Sequence, residues 1–257
     1  MTARRQAGST LAWLLALAAA IGLWELAYRL KLVDPLIIGS PSLIVRAATG
    51  HGVEFVRACG VTASEIAVAI AISWTLGMGL GAVLGSVWLL GGIFSPILSG
   101  LIAVPFVIVY PLIIAWVGIG PQSKIVFAIL MGVFPIMLGA LLGVRTADRN
   151  FARMASIFGA SRVQVLTRVM IPLALPTILS GLRVGTSLVI IGVIIGEMLG
   201  ANAGLGYLIA SNQNMFDTGA VYLGILLVVV MAVAIDRGLS ALERCFGNPH
   251  SGTRRLR

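Results

Sequence analysis

Residues Lys124–Gly143 read KIVFAILMGVFPIMLGALLG, twenty positions whose single charge stands at the first. A hydrocarbon core of about 30 Å takes about 20 apolar residues in a helix, because every backbone polar group must be satisfied within the segment. This run is long enough, and it lacks the strand-like alternation of a membrane barrel. Working outward, five more stretches qualify: Leu11–Tyr28, Ser64–Leu90, Ile93–Val117, Thr177–Leu199 and Thr218–Leu239. The first has no small-residue cleavage site after it and reads as an uncleaved helix rather than a signal peptide. Composition agrees: of 257 residues 59% are hydrophobic and 11% charged, with a mean hydropathy of +1.04. Soluble domains carry about 25% charged residues, and a soluble globule still exposes roughly a quarter or more of its chain's surface. The expected fold is all-α, a polytopic membrane protein of about six transmembrane helices in a lipid bilayer.

Eighteen basic residues against nine acidic ones give a net charge of +9. No basic stripe lies on a polar domain, so the charge does not point to nucleic acid. It fits cytoplasmic loops, which accumulate Lys and Arg. With both termini in the cytoplasm, the inner side receives Arg4, Arg5, Arg145, Arg149, Arg153, Arg162, Arg168, Arg244, Arg254, Arg255 and Arg257. The outer side receives Lys31, Arg46, Arg57 and Lys124. Cys59 and Cys245 then lie on opposite sides and form no disulfide, while His51 and His250 have no second ligand at metal spacing.

Two segments do not span. Asp34–Gly60 is an outer stretch in which the turn Gly39-Ser40-Pro41-Ser42 precedes a short amphipathic piece, Leu43–Ala48. Arg145–Pro176 holds five arginines against one aspartate and reads as a helix-turn-helix. Its helices are Phe151–Phe158 and Arg162–Met170, separated by Gly159-Ala160-Ser161 and ended by Pro172 and Pro176. A plain solvated linker would not need Met154, Ile157, Phe158, Val163, Val165 and Leu166. Apolar residues in a basic loop suggest a surface that docks into a partner's groove.

Gly77, Gly81 and Gly85 recur every four residues, as do Gly192, Gly196 and Gly200, with Gly181 and Gly185 as a further pair. Such spacing lets helices approach closely, within one chain or between two. Pro96, Pro105, Pro111, Pro121 and Pro135 interrupt the third and fourth runs, and kinked helices fit a transporter better than a rigid anchor.

The sequence carries no GxSxG, HExxH, P-loop or CxxC, and so no catalytic or metal-binding set. Three charges are read within spans: Glu25 and Glu197 near outer ends, and Arg183 in the fifth run. A charge in a span costs a few kcal/mol, which makes each a functional candidate. For Glu25 and Glu197 the plainer role is an interface contact or ion pair, and Arg183 is expected to snorkel to the cytoplasmic interface. The spans show neither the polar groups clustered at one depth of a membrane enzyme nor the repeated polar face of a channel. No chain of ionisable groups crosses the midplane, so the energy for transport must come from elsewhere.

The loop carries a resemblance. Permease subunits of ABC importers have a Glu-Ala-Ala, three residues, Gly, nine residues, then Ile-x-Leu-Pro pattern. Here Arg153-Met154-Ala155, Gly159 and Val169-Met170-Ile171-Pro172 occupy those places, with Arg153 replacing the glutamate. Further blocks occur in order along nearly the whole chain: Trp24-Glu25-Leu26, Ser40-Pro41-Ser42, Trp116-Val117-Gly118-Ile119-Gly120 with Ser123-Lys124, Gly159-Ala160-Ser161-Arg162, Gly196-Glu197-Met198-Leu199-Gly200, Gly204-Leu205-Gly206-Tyr207 and Phe216-Asp217-Thr218. Together they resemble the nitrate/sulfonate/taurine permease family.

The resemblance implies the type I ABC importer permease fold and a homodimer in a bacterial cytoplasmic (inner) membrane. It implies two ABC ATPase subunits, which bind ATP and Mg, and an extracytoplasmic substrate-binding protein. This chain itself holds no cofactor and is no enzyme. Residues 1–60 form the N-terminal helix and outer segment, 61–242 the permease core of five helices with its coupling loop at 145–176, and 243–257 a basic tail. The ATPase-coupling residues are expected to be Arg153, Met154, Ala155, Ile157, Phe158, Gly159, Ala160, Arg162 and Pro172. Pro105, Tyr110, Trp116 and Glu197 are expected to line the substrate pathway. The cargo is expected to be a small anionic or zwitterionic solute, with sulfonates such as taurine ahead of inorganic anions such as nitrate.

Overall fold

A computed structural model describes residues 2–32, 34, 37–147 and 149–246, and among them every regular element is helical. The expected basic tail lies outside the described residues from position 247 onward. Helix α1 (Thr2–Arg29) contains the first apolar run. Helix α2 (Pro41–Ser86) begins where the Ser40 hydroxyl accepts from the Leu43 N–H at 3.3 Å and Pro41 takes the first position, which needs no N–H. It then runs unbroken for 46 residues. The outer piece expected at Leu43–Ala48 is thus the first turns of one long helix. Gly50, Gly52 and Gly60 do not break it, since the surrounding helix formers outweigh glycine's cost of about 1 kcal/mol each.

The third run is not a straight span. Helix α3 (Trp88–Ile102) ends before Pro105, a single 3-10 turn follows at Phe106–Val109, and α4 (Tyr110–Val117) continues at 79° to α3. Pro105 lacks an N–H, and its ring pushes the preceding residue out of the helical region. Pro96 and Pro135 are accommodated inside their helices, whereas Pro111 and Pro121 sit at helix starts.

Helix α5 (Pro121–Thr146) is the centre of the bundle, held between α2 and α8 (Ile171–Gly200). Gly77, Gly81 and Gly85 of α2 lie against Ile136, the Met137 carbonyl and the Leu141 carbonyl of α5. On the other flank Gly139 meets Gly181, Gly132 meets the Gly185 carbonyl, and Gly192 meets Ala128. These glycine faces therefore pack within the chain. In lipid, contact of this kind supplies the association that hydrophobic burial supplies in water.

Helices α6 (Arg149–Ile157) and α7 (Arg162–Val165) form the loop before α8, and one π turn at Leu166–Met170 joins α7 to α8. Pro172 sits at the start of α8 and Pro176 inside it. Of the two prolines expected to stop a helix, Pro172 thus opens the next one, where a missing N–H costs nothing, and Pro176 is carried inside it. Helices α9 (Leu205–Asn214) and α10 (Thr218–Phe246) follow. Among the described residues four helices are long and apolar enough to cross a membrane, and the bent α3–α4 pair makes a fifth crossing if it is one span. At the other end Trp24 ties α1 down: its Nε1 donates to the Gly39 carbonyl at 2.8 Å, and its ring lies 5.7 Å from that of Tyr222.

Candidate functional site

Two places bring chemistry together. The first is a buried polar cluster between the start of α5, the end of α8 and a level of α2 well down its length. Glu197 is fully buried, three residues before α8 ends. Its carboxylate accepts from the Thr62 hydroxyl at 2.8 Å and from the Gly206 N–H at 2.8 Å. The Thr62 hydroxyl in turn accepts from the Leu205 N–H at 2.9 Å. The first two N–H groups of α9 are thereby satisfied, and the carboxylate sits at that helix's positive end.

Gly204 and Gly206 make the approach possible. A Cβ at Gly204 would overlap the Glu197 carboxyl group, and one at Gly206 would strike the Ile194 carbonyl and Glu197 Cβ. Gly204 also holds φ at +110°, which disfavours side chains. Beside Glu197, the Lys124 Nζ pairs with Glu65 Oε1 at 2.5 Å and donates to the Ala203 carbonyl at 3.3 Å. Tyr110 of α4 closes the group, donating from its hydroxyl to the Gly196 carbonyl at 2.8 Å.

Burying charge costs several kcal/mol per ion unless geometry and hydrogen bonds repay it. The cluster therefore acts as a unit that fastens α2, α4, α5, α8 and α9 at one depth. This corrects the expectation that polar groups do not gather in the spans. Glu65 and Thr62 escape a reading by runs because a lone polar residue scarcely lowers the hydropathy of a long window. A carboxylate one residue inside the run Ser64–Leu90 was the available signal. Lys124, assigned to the outer loop, belongs instead to the first turn of α5 and is 2% exposed. Of the four expected pathway residues, Tyr110 and Glu197 meet here. Pro105 stands exposed at the bend and Trp116 exposed at the end of α4.

The second place is the α6–α7 turn. Helix α6 ends as the Ala160 N–H reaches the Ala155 carbonyl and the Gly159 N–H the Ser156 carbonyl, both at 3.0 Å. That arrangement needs a left-handed residue, and Gly159 supplies it at φ +84°. Helix α7 opens on a reciprocal cap: the Gln164 N–H donates to Ser161 Oγ at 3.3 Å, and the Ser161 N–H to Gln164 Oε1 at 2.9 Å. The two caps orient a bare apolar surface in which Ile157 is 81% and Phe158 85% exposed, flanked by Met154 and Val163. Arg153 and Arg162 are exposed beside it, Ala155 and Ala160 are half-buried, and Pro172 lies exposed where α8 starts. Large apolar side chains this bare are a hallmark of interaction surfaces.

Residues 75–246 match the family described as binding-protein-dependent transport system inner membrane component. The chain belongs to this family. The permease is 32% identical over 235 residues to the taurine transport system permease protein TauC of Escherichia coli K12, covering 89% of this chain and 86% of that one. It is 29% identical over 237 residues to the putative aliphatic sulfonates transport permease protein SsuC of Bacillus subtilis 168, covering 88% and 83%. It is also 35% identical over 150 residues to the riboflavin transport system permease protein RibX of Chloroflexus aurantiacus, covering 58% and 56%. Among solved structures, a chain of the MetNI methionine ABC transporter in an inward-facing conformation superposes with a TM-score of 0.67 at 20% identity, covering 76% of the permease and 97% of that chain. The shared fold is that of a type I ABC importer permease. The permease is a multi-pass membrane protein and not an enzyme, and the ATPase of such importers is a separate subunit.

Proposed function

We propose that the permease forms, as a homodimer in a bacterial inner membrane, the path of an importer for taurine or a related small sulfonate. Both termini face the cytoplasm, and ATP and Mg are bound by the partner ATPase, while a binding protein delivers the solute from outside. The observation that carries this reading is the bare apolar surface around Ile157 and Phe158, built on the arginine-rich loop and held by two caps. Such a surface suits a groove in a cytoplasmic partner. There, Arg153, Met154, Ala155, Ile157, Phe158, Gly159, Ala160 and Arg162 carry ATPase motion into α8 through Pro172. Closure of the ATPase pair biases the spans between two conformations through contacts that differ between them.

Permeases named for taurine and aliphatic sulfonates, 32% and 29% identical, align over 89% and 88% of the chain, and one named for formylaminopyrimidine, 27% identical, over 86%. Sulfonates are therefore ranked first. The test is uptake of labelled taurine and alkanesulfonates in cells that express the permease with its ATPase and binding protein. Uptake that stops when the ATPase cannot hydrolyse ATP is the expected result. Uptake of riboflavin alone, or of sulfonates without the ATPase, would overturn the reading.

A further inference from the structure

The broken pair α3–α4 shows polar backbone at a depth where a membrane helix hides it. Contacts with α5 set that depth. The Phe106 ring stacks on that of Phe134 at 5.5 Å, and Leu98 packs with Val133, Met137 and Leu141. Phe134 is the eleventh of the twenty residues in the apolar run Lys124–Gly143, so the bend lies at about mid-span. On one side of that level Tyr110 meets Phe127 of α5, and on the other Arg145 donates to the Gly91 carbonyl at 2.9 Å. Helices α3 and α4 are thus two halves laid along α5, and their junction falls in the middle.

At the bend the ladder of hydrogen bonds lapses. The Ala103 N–H reaches the Gly100 carbonyl and the Val104 N–H the Leu101 carbonyl, each at 3.1 Å. The Phe106 N–H then closes on the Val104 carbonyl at 2.9 Å, across Pro105, which has no N–H to give. The carbonyls of Ile102 and Ala103 and the N–H of Val107 are left without a hydrogen-bond partner among the described residues. All the side chains of the bend are apolar, so none can turn back to satisfy them. Residues 102–105, 107 and 108 are exposed, Ile108 at 76%. Unpaired backbone against lipid tails is costly, and irregular backbone at membrane depth occurs only where protein buries it or water reaches it. Helix α5 covers the Phe106 side of the bend, and the other side is bare.

We propose that the bend at residues 102–108 is the mid-membrane wall of the translocation path, reached by water and touched by the solute through backbone groups alone. The proposal rests on the reading that the permease forms an importer's path, but not on the solute being a sulfonate. Two bare carbonyls accept from an ammonium or a hydroxyl, and a bare N–H donates to an oxyanion, so a zwitterion meets both kinds of partner at one bend. Residues 88–120 contain no charged side chain, so this wall holds neither sign of charge firmly. It lets a small polar solute pass and leaves selection by charge to the protein that delivers it.

The test uses the complete transporter, with ATPase and binding protein, reconstituted in lipid nanodiscs from a permease carrying Cys59→Ala and Cys245→Ala. Single cysteines are added as Ala103→Cys or Ile108→Cys at the bend, and as Leu76→Cys or Leu80→Cys for comparison. Both leucines are exposed on the unbroken α2, at the same depth, since Gly77 and Gly81 lie against Ile136 and the Met137 carbonyl. Sulfonatoethyl methanethiosulfonate and its trimethylammonioethyl counterpart are applied without nucleotide and with ATP, and modification is read by mass. In at least one nucleotide state the bend positions should react about tenfold faster than the α2 positions, or more. The two reagents should differ there by less than about threefold. Reaction at the bend no faster than on α2 in both states would overturn the proposal, because lipid or a second copy would then cover the bend. A strong preference for either reagent would overturn the indifference to charge. The reagents need not be transported, so labelling at the bend of a transporter that fails to take up taurine would sink the sulfonate assignment and leave the wall standing.

Discussion

Lys124 of α5 and Glu65 of α2 form an ion pair 2.5 Å long whose side chains are only 2% and 4% exposed. The pair lies beside Glu197, whose carboxylate accepts from the Gly206 N–H and from the Thr62 hydroxyl, while Thr62 takes the Leu205 N–H. Breaking a buried pair by removing one member typically costs about 3–5 kcal/mol, whereas replacing both by apolar groups of similar volume is often near neutral. Lys124→Met should therefore lower the thermal stability of the purified permease sharply. The Lys124→Met, Glu65→Leu double variant should recover most of the loss. Additive losses in a melting experiment would show that the pair is not coupled.

The α6–α7 turn separates two effects of substitution at Gly159. A Cβ there meets nothing within 4 Å, but φ is +84°, so Gly159→Ala should cost only the roughly 1–2 kcal/mol of left-handed strain and keep substantial uptake. Gly159→Asp adds a charge next to Phe158 that would be buried without a partner in any docked complex. We expect it to insert normally, to lose co-purification with the ATPase and to abolish uptake. Wild-type co-purification and uptake by the Asp variant would refute the docking role.

Glycine positions on α2 should divide by face. A Cβ at Gly81 would strike the Met137 carbonyl and Ala140, whereas one at Gly79 would meet nothing within 4 Å. Gly81→Val should reduce the yield of folded permease in detergent. Gly79→Ala should be neutral or stabilising by up to about 1 kcal/mol. Equal effects at the two positions would contradict the α2–α5 contact.

Orientation is open to direct labelling. Thr49 and Ser161 are both exposed, at opposite ends of the chain's polar segments. In intact cells a cysteine at position 49 should react with an impermeant maleimide and one at position 161 should not. The reverse pattern would invert the topology.

The sequence and the structure agree where a pattern repeats. Glycines four apart predicted close helix contacts, and these occur within the chain. Of the five prolines expected to interrupt the third and fourth runs, Pro105 marks a bend and Pro111 and Pro121 start helices, while Pro96 and Pro135 lie inside helices that continue past them. The α6–α7 turn was legible because Gly159-Ala160-Ser161 is a local signal, whereas the Ser161–Gln164 cap, equally local, went unread. What escaped was set by tertiary proximity. Glu65, Lys124 and Glu197 are separated by long stretches of chain, and only the packing of α2, α5 and α8 makes them neighbours. The continuity of α2 was hidden by Gly50, Gly52 and Gly60, which punctuate the sequence without interrupting the helix.

That continuity has a mechanical consequence. Forty-six residues at 1.5 Å each give α2 a length of about 69 Å, more than twice the hydrocarbon thickness. Its start is pinned to α1, since the Ser42 N–H donates to Glu25 Oε2 at 3.1 Å, and Glu25 is paired with Arg29 at 2.7 Å. Between that anchor and Thr62 there is neither proline nor break. A push delivered to the first turns of α2 thus reaches the buried carboxylates as the far end of a stiff rod, with no joint along the way to absorb it.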